Sequence, residues 1–167
     1  MKRFILVTTL FVITTLTCFA TTVERLSLDD LVKKAQVIVH GRVREARSHW
    51  SSNGRLILTT YTVDVAEAIK GRPGRVVDVT AVGGRVGDVI LNVAGMPSFQ
   101  RGEDAVIFLE TSAGMSTVVG LSQGKFSVQN GEVSNVTSGL TFPDGRNGAP
   151  LKMRLEDFKR QIENRLR

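Results

Sequence analysis

The chain has 167 residues and a formal net charge of +6 at pH 7, with 42% hydrophobic and 6% aromatic residues. This length suits one domain built around one hydrophobic core. The basic residues form no run of five or more, so the charge pattern is typical of solvated surfaces and excludes a polybasic nucleic-acid tract.

The first twenty residues have the layout of a secretory signal peptide. Lys2 and Arg3 precede the uncharged apolar stretch 4–16, and the small residues Cys18 and Ala20 stand before a cut after Ala20. The stretch is short for a bilayer span of about 20 residues, although an N-terminal membrane helix is the alternative. We expect a secreted or periplasmic protein that begins at residue 21 and keeps no stable membrane span.

Removal of this segment changes the chemistry of the chain. It carries the only cysteine, two of the 22 basic residues and none of the 16 acidic ones, so the net charge falls from +6 to +4. The mature chain then has no disulfide and no thiol chemistry. In an oxidising compartment its stability has to come from its core.

The first part of the mature chain predicts a helix and a long strand. Ser27 followed by Asp30 is the pattern of a capping box, which starts a helix over 27–36. Residues 37–46 alternate between apolar and polar positions, with Gly41 on the inward side, as in a half-buried strand. Residues 47–55 are predicted to form a turn-rich loop.

The rest of the chain predicts further strands and a closing helix. Strands are expected over 56–69, 75–82, 89–93, 104–110 and 116–121, and a hairpin over 125–136. Asn130-Gly131 is suited to the two-residue turn of that hairpin. The apolar strand 104–110 is predicted to be central. Residues 138–150 are expected to be a loop, and 151–167 an amphipathic helix packed on the domain.

Short strands with flanking helices favour a mainly β domain over residues 21–137. We expect a small OB-like antiparallel barrel, because closure removes exposed strand edges. A β-sandwich is the alternative.

GLSQG at 120–124 matches the G-x-S-x-G pattern of a serine-hydrolase nucleophile, but its context argues against catalysis. Such an elbow needs a helix after the serine and a histidine later in the chain. KFSVQ follows Ser122 with strand alternation, and the only histidines, His40 and His49, lie upstream. Two histidines without cysteine also form no zinc signature. We therefore expect no catalytic residue, no metal site and no cofactor.

The strongest candidate surface lies in HGRVREARSHW, residues 40–50. Cationic groups beside one aromatic ring are suited to an anionic or sugar-like ligand. The predicted ligand-binding residues, on one strand face and the loop after it, are His40, Arg42, Arg44, Arg47, His49 and Trp50. The alternative is a solvated outer strand face.

Several stretches together resemble a family of small exported bacterial proteins. These are LSLDDLVKKAQVIVHGRV, TTYTVDVAEAIKGRPG, GGRVGDV with AGMPSFQRGEDAVIFLE, and VVGLSQGKFSV, within 22–130. The resemblance implies signature positions with a structural role, namely Gly95, Pro97, Phe99, Gly102, Glu103, Gly124, Lys125 and Phe126.

VIVHGRV and YTVDVAEAIKG also resemble, more distantly, the first strands of netrin-like domains, which include the tissue inhibitors of metalloproteinases. That resemblance implies an OB-type barrel and, as an alternative function, inhibition of secreted metallopeptidases through the mature N-terminus. Thr21 would be the matching terminus, but no cysteine remains to hold it in place.

These observations predict an exported, non-enzymatic binding module. The expected partner is an extracytoplasmic protein or an anionic glycan, and not nucleic acid.

Overall fold

A computed structural model describes residues 23–137, 139–143 and 151–167. The predicted signal segment, Thr21 and most of the predicted loop 138–150 lie outside the described residues. The described chain is mainly β, with antiparallel strand pairing and two α-helices.

Helix α1 spans Leu28–Lys34 and begins as the sequence predicts. The Ser27 side chain accepts a hydrogen bond from the Asp30 amide, and the Asp30 carboxylate accepts one from the Ser27 amide. The hydrogen bonds from Ser27 lower the pKa of the Asp30 carboxyl group. At the other end, Lys70 Nζ donates to the carbonyls of Val32 (2.7 Å) and Ala35 (2.5 Å). These bonds hold the C-terminal end of the helix against the chain at residue 70.

Ten strands are assigned in the described chain: β1 (Val37–Trp50), β2 (Ile57–Lys70), β3 (Val76–Val82), β4 (Gly84–Val86), β5 (Val89–Leu91), β6 (Asp104–Ser112), β7 (Met115–Val118), β8 (Lys125–Gln129), β9 (Glu132–Ser134) and β10 (Lys152–Arg154). A short 3-10 helix covers Leu121–Gly124, and α2 spans Leu155–Leu166. Strand β1 continues to Trp50, so the loop predicted from residue 47 begins four residues later.

The sheet follows the order β10-β9-β8-β6-β1-β2-β3, with β7 also paired to β6, while β4 and β5 form a separate hairpin. Strand β6 is buried on both faces, which confirms the central position predicted from its continuous apolar sequence. No hydrogen-bonded pairing joins β3 to β7 in the part of the chain that the structure describes.

Two buried clusters lie on opposite faces of the central strands. One contains Val39, Val63 and Ile107 and is formed by side chains of β1, β2, β3, β6 and β7. The other contains Phe108 and Ile162 and lies between the sheet and the two helices. Alternation in β1 and β6 explains the division, since successive side chains of a strand point to opposite faces.

Helix α2 packs through its apolar stripe onto the second cluster. The Phe158 ring is fully buried, with its centroid 4.5 Å from that of Phe126 and 6.2 Å from that of Phe108. The helix is shorter than the predicted 151–167, because residues 152–154 pair with β9 as strand β10. The β8–β9 turn has positive φ at Asn130 and Gly131, as its sequence predicts.

Candidate functional site

The six predicted ligand-binding residues lie along one long strand and do not converge. His40 and Trp50 are ten positions apart on β1, which is about 33 Å at the rise of an extended strand. The pairing register of β1 shifts between Val43 and Glu45, so Arg44 is the extra residue of a bulge. Beyond that bulge the alternation changes phase, and Trp50 points to the face opposite His49.

Three of the predicted ligand-binding residues already lie beside carboxylates. His40 Nε2 lies 3.1 Å from Asp104 Oδ1, although the geometry is not that of a hydrogen bond. Arg44 pairs with Asp64 at 3.0 Å, and Arg47 pairs with the neighbouring Glu45 at 3.2 Å. The cationic surface predicted from the sequence is therefore largely neutralised over these positions.

Arg42 lies elsewhere, on the rim of an open cleft of about 660 Å³. The cleft is bounded by β1, the segment 98–104 and the β8–β9 turn at Asn130-Gly131. Arg101 also lines it, and neither arginine forms an ion pair with any residue in the described ranges. Main-chain bonds fix this arrangement, since Gly102 N–H donates to the Val43 carbonyl at 2.7 Å.

The floor of the cleft is a charge pair between Glu103 and Lys125. Lys125 Nζ lies 2.7 Å from Glu103 Oε1, and both side chains are only 16% exposed. The other donors to this carboxylate are the Ser127 hydroxyl at 2.6 Å and the Gln100 amide at 2.8 Å. Lys125 also donates to the Ser98 carbonyl.

These contacts determine the ionisation of Glu103. Burial alone would raise the pKa of this carboxyl group, but hydrogen bonds from Lys125, Ser127 and the Gln100 amide, together with the Lys125 charge, hold the pKa below its ordinary value. The Glu103 carboxyl group is therefore ionised at neutral pH, and its carboxylate is bound to Lys125 and is not free in the cleft. The lining contains three cations, Arg42, Arg101 and Lys125, and two carboxylates, so the net charge of the lining is positive.

The structure brings the stretches GMPSFQRGE and GLSQGKF together. Lys125 Nζ lies 4.6 Å from the centroid of the Phe99 ring, which in turn packs at 4.9 Å against Tyr61. Burial raises the pKa of the Tyr61 hydroxyl. The Ser122 amide donates to the Gly95 carbonyl at 3.0 Å. GMPSFQRGE and GLSQGKF therefore form one packed unit beneath the cleft.

Ser122 itself lies in the 3-10 helix Leu121–Gly124, which leads directly into strand β8. The sequence predicts this strand after the serine. A nucleophile elbow, by contrast, is followed by an α-helix. The next residue, Gln123, is buried and bonds through its side chain to the Leu26 amide and the Glu24 carbonyl. Residues 120–124 therefore connect β7 to β8, and the Gln123 side chain holds the segment around Glu24 and Leu26 by hydrogen bonds.

Sequence reasoning missed Arg101 and the β8–β9 turn as parts of this cleft. Arg101 precedes the apolar strand β6, and nothing local shows that β6 pairs with β1 so that Asp104 lies opposite Arg42. One feature of the sequence could have indicated Arg101: the turn RGED, residues 101–104, places a basic residue next to the strand that was predicted to be central.

Within the described residues, no group of three or more His, Cys, Asp or Glu side chains could hold a metal ion. In the same residues, no helix has the length and apolar character to cross a membrane. Comparison with protein-family models and with curated proteins gives no match for the chain.

Proposed function

We propose that the protein is an exported, non-enzymatic binding module that recognises an anionic ligand, either an acidic protein segment or an anionic glycan. The observation that carries the proposal is the cleft with two unpaired guanidinium groups, Arg42 and Arg101, on its rim. Guanidinium groups form charge-assisted, bidentate hydrogen bonds to carboxylate and sulfate groups. The β8–β9 turn adds further polar groups to the lining of the cleft.

The fold expected for this module is an OB-like barrel. Two observations support a barrel. The strand order is β3-β2-β1-β6-β7, and a groove of about 420 Å³ is lined by residues of both β3 and β7. Closure across that groove would hide the edges of both strands. Amide hydrogen exchange of residues 76–82 distinguishes the alternatives, because slow exchange on the outer edge of β3 supports a closed barrel and fast exchange supports an open sandwich.

Export is the second part of the proposal and rests on the layout of residues 1–20. Expression in a bacterial host with fractionation, followed by intact-mass measurement, tests it. A periplasmic or secreted species beginning at Thr21 is expected. Retention of the whole chain in the cytoplasm contradicts export.

The binding proposal is tested with two charge-reversed variants of equal net charge. Arg42→Glu with Arg101→Glu removes both cations of the cleft. Arg72→Glu with Arg75→Glu is the matched control, because both residues are exposed and form no ion pair in the described chain. The probes are hexaglutamate and a heparin-derived hexasaccharide, measured by calorimetry at low and physiological salt.

We expect the cleft variant to bind at least one probe about tenfold or more weakly than the wild-type protein, with the control close to wild type. Equal weakening in both variants would show that only the overall charge matters and would contradict a site at the cleft.

A further inference from the structure

Six side chains that line the cleft keep hydrogen-bonding groups that the described chain does not use. They are the guanidinium groups of Arg42 and Arg101, the carboxamides of Gln100, Gln129 and Asn130, and the carboxylate of Asp104. None of these side chains forms a hydrogen bond with a described residue, and the one close charged contact is His40 beside Asp104. The cleft therefore offers donors and acceptors together.

The mixture of free groups argues against a ligand that carries acid groups alone. A guanidinium group only donates and the Asp104 carboxylate only accepts, whereas a carboxamide does both. A run of carboxylates would pair with the two arginines but would meet a like charge at Asp104 and leave that acceptor without a donor. Hydroxyl groups donate as well as accept, so they suit Asp104 and the carboxamides. The lining has only one more cation than carboxylates, which favours a ligand of low charge density.

In the part of the chain that is described, the strands around the cleft leave no edge for a peptide. Val128 of β8 is paired with Asp104 of β6 on one side and with Val133 of β9 on the other. Arg42 of β1 is likewise paired on both sides, with Asp104 and Asp64. Val128 is also the only apolar side chain among the described lining residues. An extended peptide would therefore find neither an open strand nor apolar pockets for alternate side chains.

We propose that the ligand of the cleft is a hydroxyl-rich glycan with well-separated acid groups. Its acid groups bind Arg42 and Arg101, and its hydroxyl groups bind Asp104 and the three carboxamides. This inference rests on the proposed function, because it names the ligand class of the same site. The volume of about 660 Å³ lies within the range of about 300–1,000 Å³ that is usual for ligand pockets.

The test uses the whole protein and three probes in calorimetry at low and physiological salt. The first is a hyaluronan hexasaccharide, in which every second sugar carries a carboxylate. The second is the same hexasaccharide with its carboxylates reduced to alcohols, and the third is hexaglutamate. We expect the reduced form to bind about tenfold or more weakly than the hyaluronan hexasaccharide, because it offers nothing charged to the guanidinium groups.

Salt separates the sugar from the peptide. We expect hexaglutamate to bind at low salt only, because its attraction to two exposed arginines is screened. The hyaluronan hexasaccharide should keep measurable binding at physiological salt, since its hydroxyl contacts are not charge pairs. Hexaglutamate that binds at physiological salt as tightly as the hyaluronan hexasaccharide overturns the glycan inference.

Asp104→Asn gives an opposite expected sign for the two ligands. It removes a charged acceptor for hydroxyl groups, so the hyaluronan hexasaccharide should bind about three- to tenfold more weakly. It also removes a like charge, so hexaglutamate should bind about two- to threefold more tightly at low salt. Asp88→Asn is the matched control, because Asp88 is exposed and forms no ion pair in the described chain. An Asp104→Asn variant that binds the hyaluronan hexasaccharide as well as wild type overturns the inference.

A second variant changes no charge and does not depend on Asp104. Gln100→Ala with Gln129→Ala truncates two exposed carboxamides of the cleft. We expect the hyaluronan hexasaccharide to bind about fivefold or more weakly, with hexaglutamate binding at low salt unchanged. Unchanged binding of the hexasaccharide contradicts its contact with these carboxamides and overturns the inference.

The outcomes separate this inference from the proposed function. Hexaglutamate binding that depends on Arg42 and Arg101, with no binding of the hyaluronan hexasaccharide, leaves the anion site in place and overturns the glycan inference. Hexasaccharide binding that is unchanged in Arg42→Glu with Arg101→Glu overturns both, as does failure of every anionic probe to bind.

Discussion

Replacing Lys125 by methionine tests the pair that forms the floor of the cleft. The substitution keeps most of the apolar stem but removes the ammonium group, which lies 2.7 Å from Glu103 Oε1 and also bonds to the Ser98 carbonyl. Glu103 is then a carboxylate that is only 16% exposed and has lost its cation. The Ser127 hydroxyl and the Gln100 amide remain as its donors.

The expected cost follows from this burial. Removing one partner of a buried ion pair costs about 3–5 kcal/mol, because an uncompensated charge remains. Both side chains here keep some solvent contact, so we expect the lower end, about 3 kcal/mol. With an m-value of about 1.5 kcal/mol/M, this lowers the urea midpoint by about 2 M.

The assay is urea unfolding of four proteins at pH 7: wild type, Lys125→Met, Glu103→Gln and the double variant. In the double variant neither charge remains, so it should be more stable than the sum of the single losses predicts, with a coupling of about 1–3 kcal/mol. A Lys125→Met variant within about 0.5 kcal/mol of wild type, or strictly additive effects, would refute the reasoning.

The pH dependence gives the same pair a second readout. The folded-state pKa of Glu103 lies below its ordinary value, so its contribution to stability is fully present above the unfolded pKa of about 4.3 and is lost as the pH falls through the lower folded value. The stability difference between wild type and Glu103→Gln should therefore shrink below about pH 4. A difference that stays constant down to the acid transition would contradict this assignment.

Three further substitutions test the packing. Phe158→Ala should destabilise the protein by about 3–5 kcal/mol in urea unfolding, because it leaves a cavity where the fully buried ring packs between α2 and the sheet. A loss below about 1 kcal/mol would show that the helix does not pack as described. Gly41→Ala should cost about 1–3 kcal/mol or prevent folding, since its Cβ would lie 2.5 Å from the Asp64 carbonyl oxygen, and an unchanged melting temperature would contradict that close approach. Ser122→Ala should change stability by less than about 0.5 kcal/mol, because the bond to Gly95 uses the main-chain amide, and a larger loss would indicate a role for the hydroxyl.

Local chemistry allowed most of the elements to be predicted from the sequence. The Ser27–Asp30 capping box, the Asn130-Gly131 turn and the apolar strand β6 each depend on residues close in sequence, and each is present. The extent of β1 was less predictable, because residues 47–49 are polar, and pairing with β2 holds residues 47–50 in the strand. Likewise, residues 152–154 form strand β10 through pairing with β9, against a helical pattern.

The candidate site was predictable only in part, because it depends on contacts between distant segments. The sequence identified Arg42 by its charge. It did not show that Arg44 pairs with Asp64 and Arg47 with Glu45, or that a bulge between Val43 and Glu45 interrupts the strand after Arg42. The pairing of β1 with β6 brings Arg101 to the same cleft. No local pattern contains that information.

The most direct test of the central claim is an NMR titration of the protein with hexaglutamate, with shifts recorded for every assigned amide. The account predicts that the largest changes fall at residue 42, residues 100–104 and residues 129–131, and that they weaken as salt is raised. Changes confined to other surfaces, such as α2 or the β2–β3 turn, or no changes at low salt, would contradict it.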